Sequence, residues 1–246
     1  MDIFNASLET GTFLEQLKIA KVIPIHKKGN TRNINNYRPI ALLSVFSKLL
    51  EKLVYNRIIT FIEKNGIITE AQHGFRSKMS TETALLDFIN NVQLSIDNKM
   101  NPVGIFLDLS KAYVVLDHKI LLDKLNVYGI RGISNKWMES YLTNRKQFVE
   151  LKFLKRGKVI SSTREGDIGV PQGSILGPLL FSLYINDLHL NILYAKTVLY
   201  VDDTNVMITG SNLNTLQENV NNSITAAQTL FSTNKLIVNT DKTSTM

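Results

Sequence analysis

Three aspartates have the types and spacing to do chemistry together. Asp108 closes the apolar run VGIFLDL, and Asp202-Asp203 divide the β-prone stretch TVLYVDDTNVMI. A carboxylate at the end of a buried strand is costly unless something compensates it. Taken singly, each is an ordinary strand-end or turn aspartate. If both segments join one sheet, three carboxylates meet at one edge. Two like charges about 4 Å apart repel by about 1 kcal/mol in water, and by about 4 kcal/mol at an effective dielectric of about 20. Such a cluster calls for a divalent cation or a proton. Oxygen-only ligands favour a hard cation such as Mg2+. Two such ions about 3.5–4 Å apart suit in-line displacement at phosphorus.

The elements that must carry these acids follow from periodicity. Residues 103–109 form a short buried strand after Pro102, and 197–208 form a hairpin with the acidic pair at its turn. Residues 17–26 are a further strand, followed by a polar loop, KKGNTRNINNYRP. Helical spacing runs over 42–64, 81–96, 120–127, 135–142, 173–188 and 213–231. Ser80 and Thr81 are the N-cap candidates of the second of these. Strands at 148–153 and 158–162 flank a Lys155-Arg156-Gly157 turn, and one more short strand lies within KLIVNTDKTSTM.

The 246 residues suffice for one large domain or two small ones, with ordinary apolar (44%) and charged (20%) content. Cysteine is absent, which rules out a disulfide framework and a Cys-ligated zinc site. His26, His73, His118 and His189 are scattered without ligand spacing and read as structural. No signal peptide is visible at the start. The apolar run from Ile175 to Ile185 is too short and too interrupted for a membrane span. The net charge of +7 is uneven: residues 1–80 hold 12 Lys/Arg against 6 Asp/Glu. Lys18, Lys21, Lys27, Lys28, Arg32 and Arg38 follow one another without an intervening acid, and a second basic cluster runs from Arg145 to Arg164. Clusters of this kind suit a polyanion, through release of condensed counterions.

Together these motifs resemble a known family. Phe106-Leu107-Asp108-Leu109-Ser110-Lys111-Ala112-Tyr113 and Tyr200-Val201-Asp202-Asp203 look like the catalytic motifs of a reverse transcriptase. Between them, Gly169-Val170-Pro171-Gln172-Gly173-Ser174-Ile175-Leu176-Gly177-Pro178 resembles that family's template-side motif. PIHKKG, NYRPI, GFR and YINDL resemble the enzymes of non-LTR retrotransposons, of the jockey-like kind. The resemblance runs from about Lys18 to Thr243. It implies an α+β right-hand polymerase, with fingers over 1–100 and a palm over 101–246, its antiparallel sheet backed by helices. It also implies an RNA-directed DNA polymerase that adds dNTPs to a primer 3′-hydroxyl on an RNA template. Asp108, Asp202 and Asp203 would hold two Mg2+ ions, or Mn2+ in their place, with the Leu109 carbonyl. Tyr113 would be a steric gate against the sugar's 2′ face. Gln172 and Gly173 would lie against nucleotide and template. Lys27, Lys28, Arg38 and Arg76 would meet the triphosphate, and Lys242 the leaving pyrophosphate. The expected setting is intracellular, nucleus or cytoplasm, without a membrane.

Departures from the family pattern bear on activity. Val114 replaces the Asp usual after the aromatic of KAF, Val201 replaces a common Ala, and a Trp common near Leu230 is missing. The thumb that would follow and the endonuclease usual upstream are not found, so the chain reads as a fragment with feeble or absent processive synthesis. The rival readings are a catalytically dead nucleic-acid-binding remnant and a phosphohydrolase using Asp108 as nucleophile. The latter would want a second Asp where Ser110 stands, and it leaves the acidic hairpin unexplained.

Overall fold

The computed structural model describes residues 2–110, 112–153, 157–166, 168–192 and 195–246. The chain forms two compact units, each built from two stretches: Met1–Phe61 with Leu116–Gly177, and Ile62–Val115 with Pro178–Met246.

The first unit contains helices α1 (Asp2–Thr10) and most of α2 (Val45–Lys64), then α4 (His118–Val127) and α5 (Ile133–Leu142). Its strands are β1 (Ile19–His26), β2 (Tyr37–Leu42), β4 (Arg145–Phe153), β5 (Gly157–Ile160) and β6 (Arg164–Gly166). The sheet order is β2-β1-β4-β5, with β6 also paired to β4. β1 and β4 are parallel, while the other pairs are antiparallel. An aromatic cluster anchors α1 and α5. Phe13 meets Trp137 and Tyr141 edge-on at 5.4 and 5.2 Å, and Trp137 donates to Ser7 Oγ at 3.1 Å.

β2 is a correction to the polar loop expected there. Tyr37, Arg38 and Pro39 belong to a strand, and Pro39 lies opposite Pro24. Proline cannot donate to a ladder, and edge strands tolerate that loss. β2 is an edge strand, which is why a segment that looks broken in sequence still pairs.

The basic clusters are also less uniform than their sequence suggests. The buried Lys18 pairs with Glu15, and Lys21 with Glu150 at 3.2 Å. Arg145 is buried against the faces of Tyr141 and Phe13, and Lys146 pairs with Glu165 at 3.3 Å. Lys155 and Arg156 lie outside the described residues.

The second unit holds α3 (Thr81–Asp97), most of α6 (Leu176–Tyr184), α7 (Leu188–Asn191) and α8 (Leu213–Thr233). Its sheet is antiparallel, in the order β7 (Ala195–Tyr200), β8 (Asp203–Gly210), β3 (Asn101–Asp108) and β9 (Ser244–Thr245). α3 starts in a capping box, with Ser80 accepting from Thr83 N–H and Thr83 accepting from Ser80 N–H. Phe88 of α3 meets Phe106 of β3 at 5.5 Å. α8 buries Leu216, Ala227, Leu230 and Phe231 at helical spacing, and lines a cavity of about 280 Å³ with Ile105, Leu107 and Val206 of the sheet. α6 is buried on all sides (Leu179, Leu180, Phe181, Leu183), each such side chain contributing about 1.5–3 kcal/mol. Among the described residues no helix is long and apolar enough to cross a membrane.

Candidate active site

β7 and β8 form a tight hairpin. Tyr200 pairs with Asp203, leaving Val201-Asp202 as a two-residue turn. Val201 has φ +61°. A β-branched residue there is strained by about 1–3 kcal/mol, and persists only where its surroundings hold it. β3 runs antiparallel to β8 in a register that sets Asp108 opposite Asp203. Side chains directly opposite have Cβ atoms about 4.5–5.5 Å apart. The turn adds Asp202 beside them, so one end of the sheet collects three acids.

The electrostatics record that proximity. Burial, then the charges of Asp202 and Asp108, push the Asp203 carboxyl above the usual carboxylate range, against the opposing effect of Lys242. Lys242 Nζ donates to Asp108 Oδ2 at 2.7 Å, and Asn239 Nδ2 donates to the same oxygen at 3.0 Å. The Asn239 N–H also donates to the Asp108 carbonyl at 2.8 Å. Leu109 bridges to Val238. Tyr113 rests against Phe181 at 5.4 Å, and burial together with the Asp202 charge pushes its phenol up to about 12. Among the described residues no group of three His, Asp or Glu side chains is arranged to hold a metal ion. The ammonium of Lys242 occupies the Asp108 oxygen that such a group would need.

The first unit gathers other predicted residues along β2. Its hairpin with β1 closes through Lys27 N–H to Asn36 O at 2.8 Å, so Lys27 and Lys28 lie at the exposed tip and Arg38 on β2 opposite Ile25. Further along β2, Ala41 N–H donates to the Gln172 carbonyl at 2.8 Å. Gly173 has φ +122°, and a Cβ there would come within 2.7 Å of Ala41 O, so only glycine fits. The fully buried Glu51 accepts Ile175 N–H at 2.7 Å and Leu176 N–H at 3.3 Å at the start of α6, and Ser47 Oγ at 3.2 Å. A carboxylate complements a helix N-terminus, so Glu51 fixes the Pro-Gln-Gly turn from behind. Burial and the Glu51 charge push the Tyr141 phenol up.

Arg76 is placed elsewhere. Its Nη1 donates to the carbonyls of Thr69 at 2.8 Å and Gln72 at 3.2 Å, in a loop of the second unit. The four histidines each make a hydrogen-bond contact with another protein group, such as His118 Nε2 with Gly169 O at 2.7 Å. Sequence reasoning missed Glu51, Asn239 and Gln72. Asn239 shares the NTDKT segment with Lys242, and Gln72 stands two residues before the quoted GFR. Glu51 is an ordinary helical glutamate by pattern, so only its burial reveals it.

The model of the family "Reverse transcriptase (RNA-dependent DNA polymerase)" matches residues 25–246. The chain belongs to the reverse transcriptase family. It is 33% identical over 213 residues to the RNA-directed DNA polymerase from the mobile element jockey of Drosophila melanogaster, covering 84% of this chain and 22% of that protein. It is also 33% identical over 193 residues to a probable RNA-directed DNA polymerase from transposon BS of the same species, covering 76% and 20%. The chain thus spans about a fifth of the length of these curated relatives. Its fold is similar to that of Candida albicans telomerase solved with a fragment of telomeric RNA, with TM-score 0.63 at 12% identity, covering 100% of this chain and 45% of the other. Truncated apo telomerase from Candida tropicalis superposes with TM-score 0.60 at 16% identity, covering 94% and 50%. The expected polymerase fold and the jockey-like resemblance both hold.

Proposed function

We propose that this chain carries the nucleotidyl-transfer core of an RNA-directed DNA polymerase of a non-LTR retrotransposon, working inside the cell. The observation that carries the reading is the pairing of Asp108 with Asp203, with Asp202 in the adjoining turn. The second unit acts as the palm. The first unit supplies the basic fingers; its two stretches, Met1–Phe61 and Leu116–Gly177, divide the chain differently from the fingers over 1–100 and palm over 101–246 that the resemblance implies.

The donor set fits a hard divalent cation, because it offers only oxygen and because burial and the charges of Asp202 and Asp108 hold the Asp203 carboxyl above the usual carboxylate range. Asp108, Asp202 and Asp203 would hold two Mg2+ ions with the Leu109 carbonyl, once Lys242 leaves Asp108. Such ions supply charge neutralisation for the attacking and leaving oxygens. The primer 3′-oxygen bonds to the dNTP α-phosphorus as its proton passes to solvent, and the bond from that phosphorus to the bridging oxygen breaks, releasing pyrophosphate. Lys242, released from Asp108, serves the leaving pyrophosphate. Lys27, Lys28 and Arg38 meet the triphosphate, Arg by bidentate geometry. Gln172 and Gly173 lie against nucleotide and template, and Tyr113 excludes the ribose 2′-hydroxyl. Arg76 reaches the triphosphate only with the part of its guanidinium that the loop leaves over.

The test is incorporation of a single dNTP on an RNA template with a DNA primer and Mg2+. Wild type incorporates, whereas Asp202→Asn does not, and its RNA affinity stays within about twofold. RNA binding by a wild type that incorporates nothing contradicts the proposal and favours the binding remnant.

A further inference from the structure

Val201 needs a reason to stay at positive φ, and the structure contains one. Gln72 is 1% exposed, and its Oε1 accepts two backbone N–H groups, Gly74 at 2.7 Å and Val201 at 3.1 Å. Those two donors fix which end of the carboxamide is oxygen. The backbone on either side is tied to β7: Leu199 N–H donates to Ala71 O, and His73 N–H to Leu199 O, both at 2.8 Å. Gly74 lies so close to the turn that a Cβ would come within 2.5 Å of Val201 Cγ2 and 2.7 Å of Val201 N. The segment is itself braced. Thr69 N–H donates to Asn186 Oδ1 at 2.9 Å, and Arg76 donates to Thr69 O and Gln72 O.

We propose that residues 69–76 form a strap whose Gln72 carboxamide holds Val201, the first residue of the Val201-Asp202 turn, at its positive φ, making Gln72 a positioning residue for the acids that bind the cation. The physical argument is one of satisfaction and strain. Val201 is buried, so its N–H needs an acceptor. Without Gln72 Oε1 the N–H is orphaned, and the turn relaxes toward negative φ. Rotating the Val201-Asp202 peptide then carries the Asp202 carboxylate away from Asp108 and Asp203. Gly74 allows the strap to approach this closely, and Arg76 stiffens it. This gives the GFR segment a role that does not require contact with nucleotide.

The inference rests on the proposed function, in that the acids bind a divalent cation. Its test reads Mn2+ affinity by electron paramagnetic resonance on the full chain without nucleotide. Gln72→Met conserves volume but removes the acceptor, and weakens Mn2+ binding at least about tenfold. Adding Val201→Gly, which removes the strain at positive φ, restores most of the affinity; a merely structural loss would not be rescued in this way. Amide hydrogen exchange on the wild type adds a reading independent of any variant, with the Val201 N–H strongly protected. Wild-type affinity in a folded Gln72→Met protein, no rescue by Val201→Gly, or an unprotected Val201 amide each overturns the strap. A wild type that binds no Mn2+ overturns the functional reading itself.

Discussion

The acidic end of the second unit and the basic hairpin tip of the first are opposite in construction as well as in charge. Asp108 and Asp203 stand in a fixed ladder, Asp202 sits in a clamped turn, and Asn239 and Lys242 hold the Asp108 carboxylate. Lys27, Lys28 and Arg38 are exposed, and among the described residues none of them is in an ion pair. Under the proposed function, the difference follows from what each would recognise. Neutralising charge on reacting oxygens needs fixed geometry, because a misplacement of about 1 Å can cost about a hundredfold in rate. Attracting a polyphosphate needs mainly charge, which acts across solvent within roughly a Debye length.

That contrast can be broken at either end. The largest effect belongs to Asp108→Asn. Single-nucleotide incorporation falls by at least about a thousandfold while the protein stays folded, measured by quenched-flow or gel assay. Gly173→Ala comes next, because it forces Cβ onto the Ala41 carbonyl at positive φ. It costs about 1–3 kcal/mol in a denaturant titration and raises KM for dNTP more than it lowers kcat. Replacing Lys27, Lys28 and Arg38 together by Gln has a graded effect. KM for dNTP rises, most at low salt where the charges are least screened, while Mn2+ binding does not change.

The smallest effect is a pH dependence. The folded-state pKa of Asp203 is raised, so its ionised form is disfavoured by folding, and stability falls as pH rises from the ordinary carboxylate range through that raised value. Asp203→Asn therefore raises Tm at neutral pH without added metal. The gain disappears in acid, where wild-type Asp203 is protonated in both states. A gain that grows toward low pH contradicts the assignment.

Much of this was legible in sequence for identifiable reasons. VGIFLDL and YVDD announce themselves because a carboxylate among β-branched and apolar residues is unusual, and α8 is an amphipathic stripe. β2 was not legible because Pro39 and the polar loop before it mimic punctuation, and only its edge position makes the proline harmless. α1 did not stand out because its nine residues fall short of the window over which helical spacing can be read. Glu51, Gln72 and Asn239 were invisible for a shared reason. Each acts on a group far along the chain, Glu51 on the Ile175 N–H, Gln72 on the Val201 N–H and Asn239 on the Asp108 carboxylate, and no local pattern encodes such a partnership.

The most direct test of the account is anomalous diffraction from a crystal of the chain soaked in Mn2+. The account predicts an anomalous peak bounded by the carboxylates of Asp108 and Asp202, with Lys242 Nζ moved off Asp108 Oδ2. Mn2+ bound only elsewhere, with Lys242 still on Asp108, would contradict it.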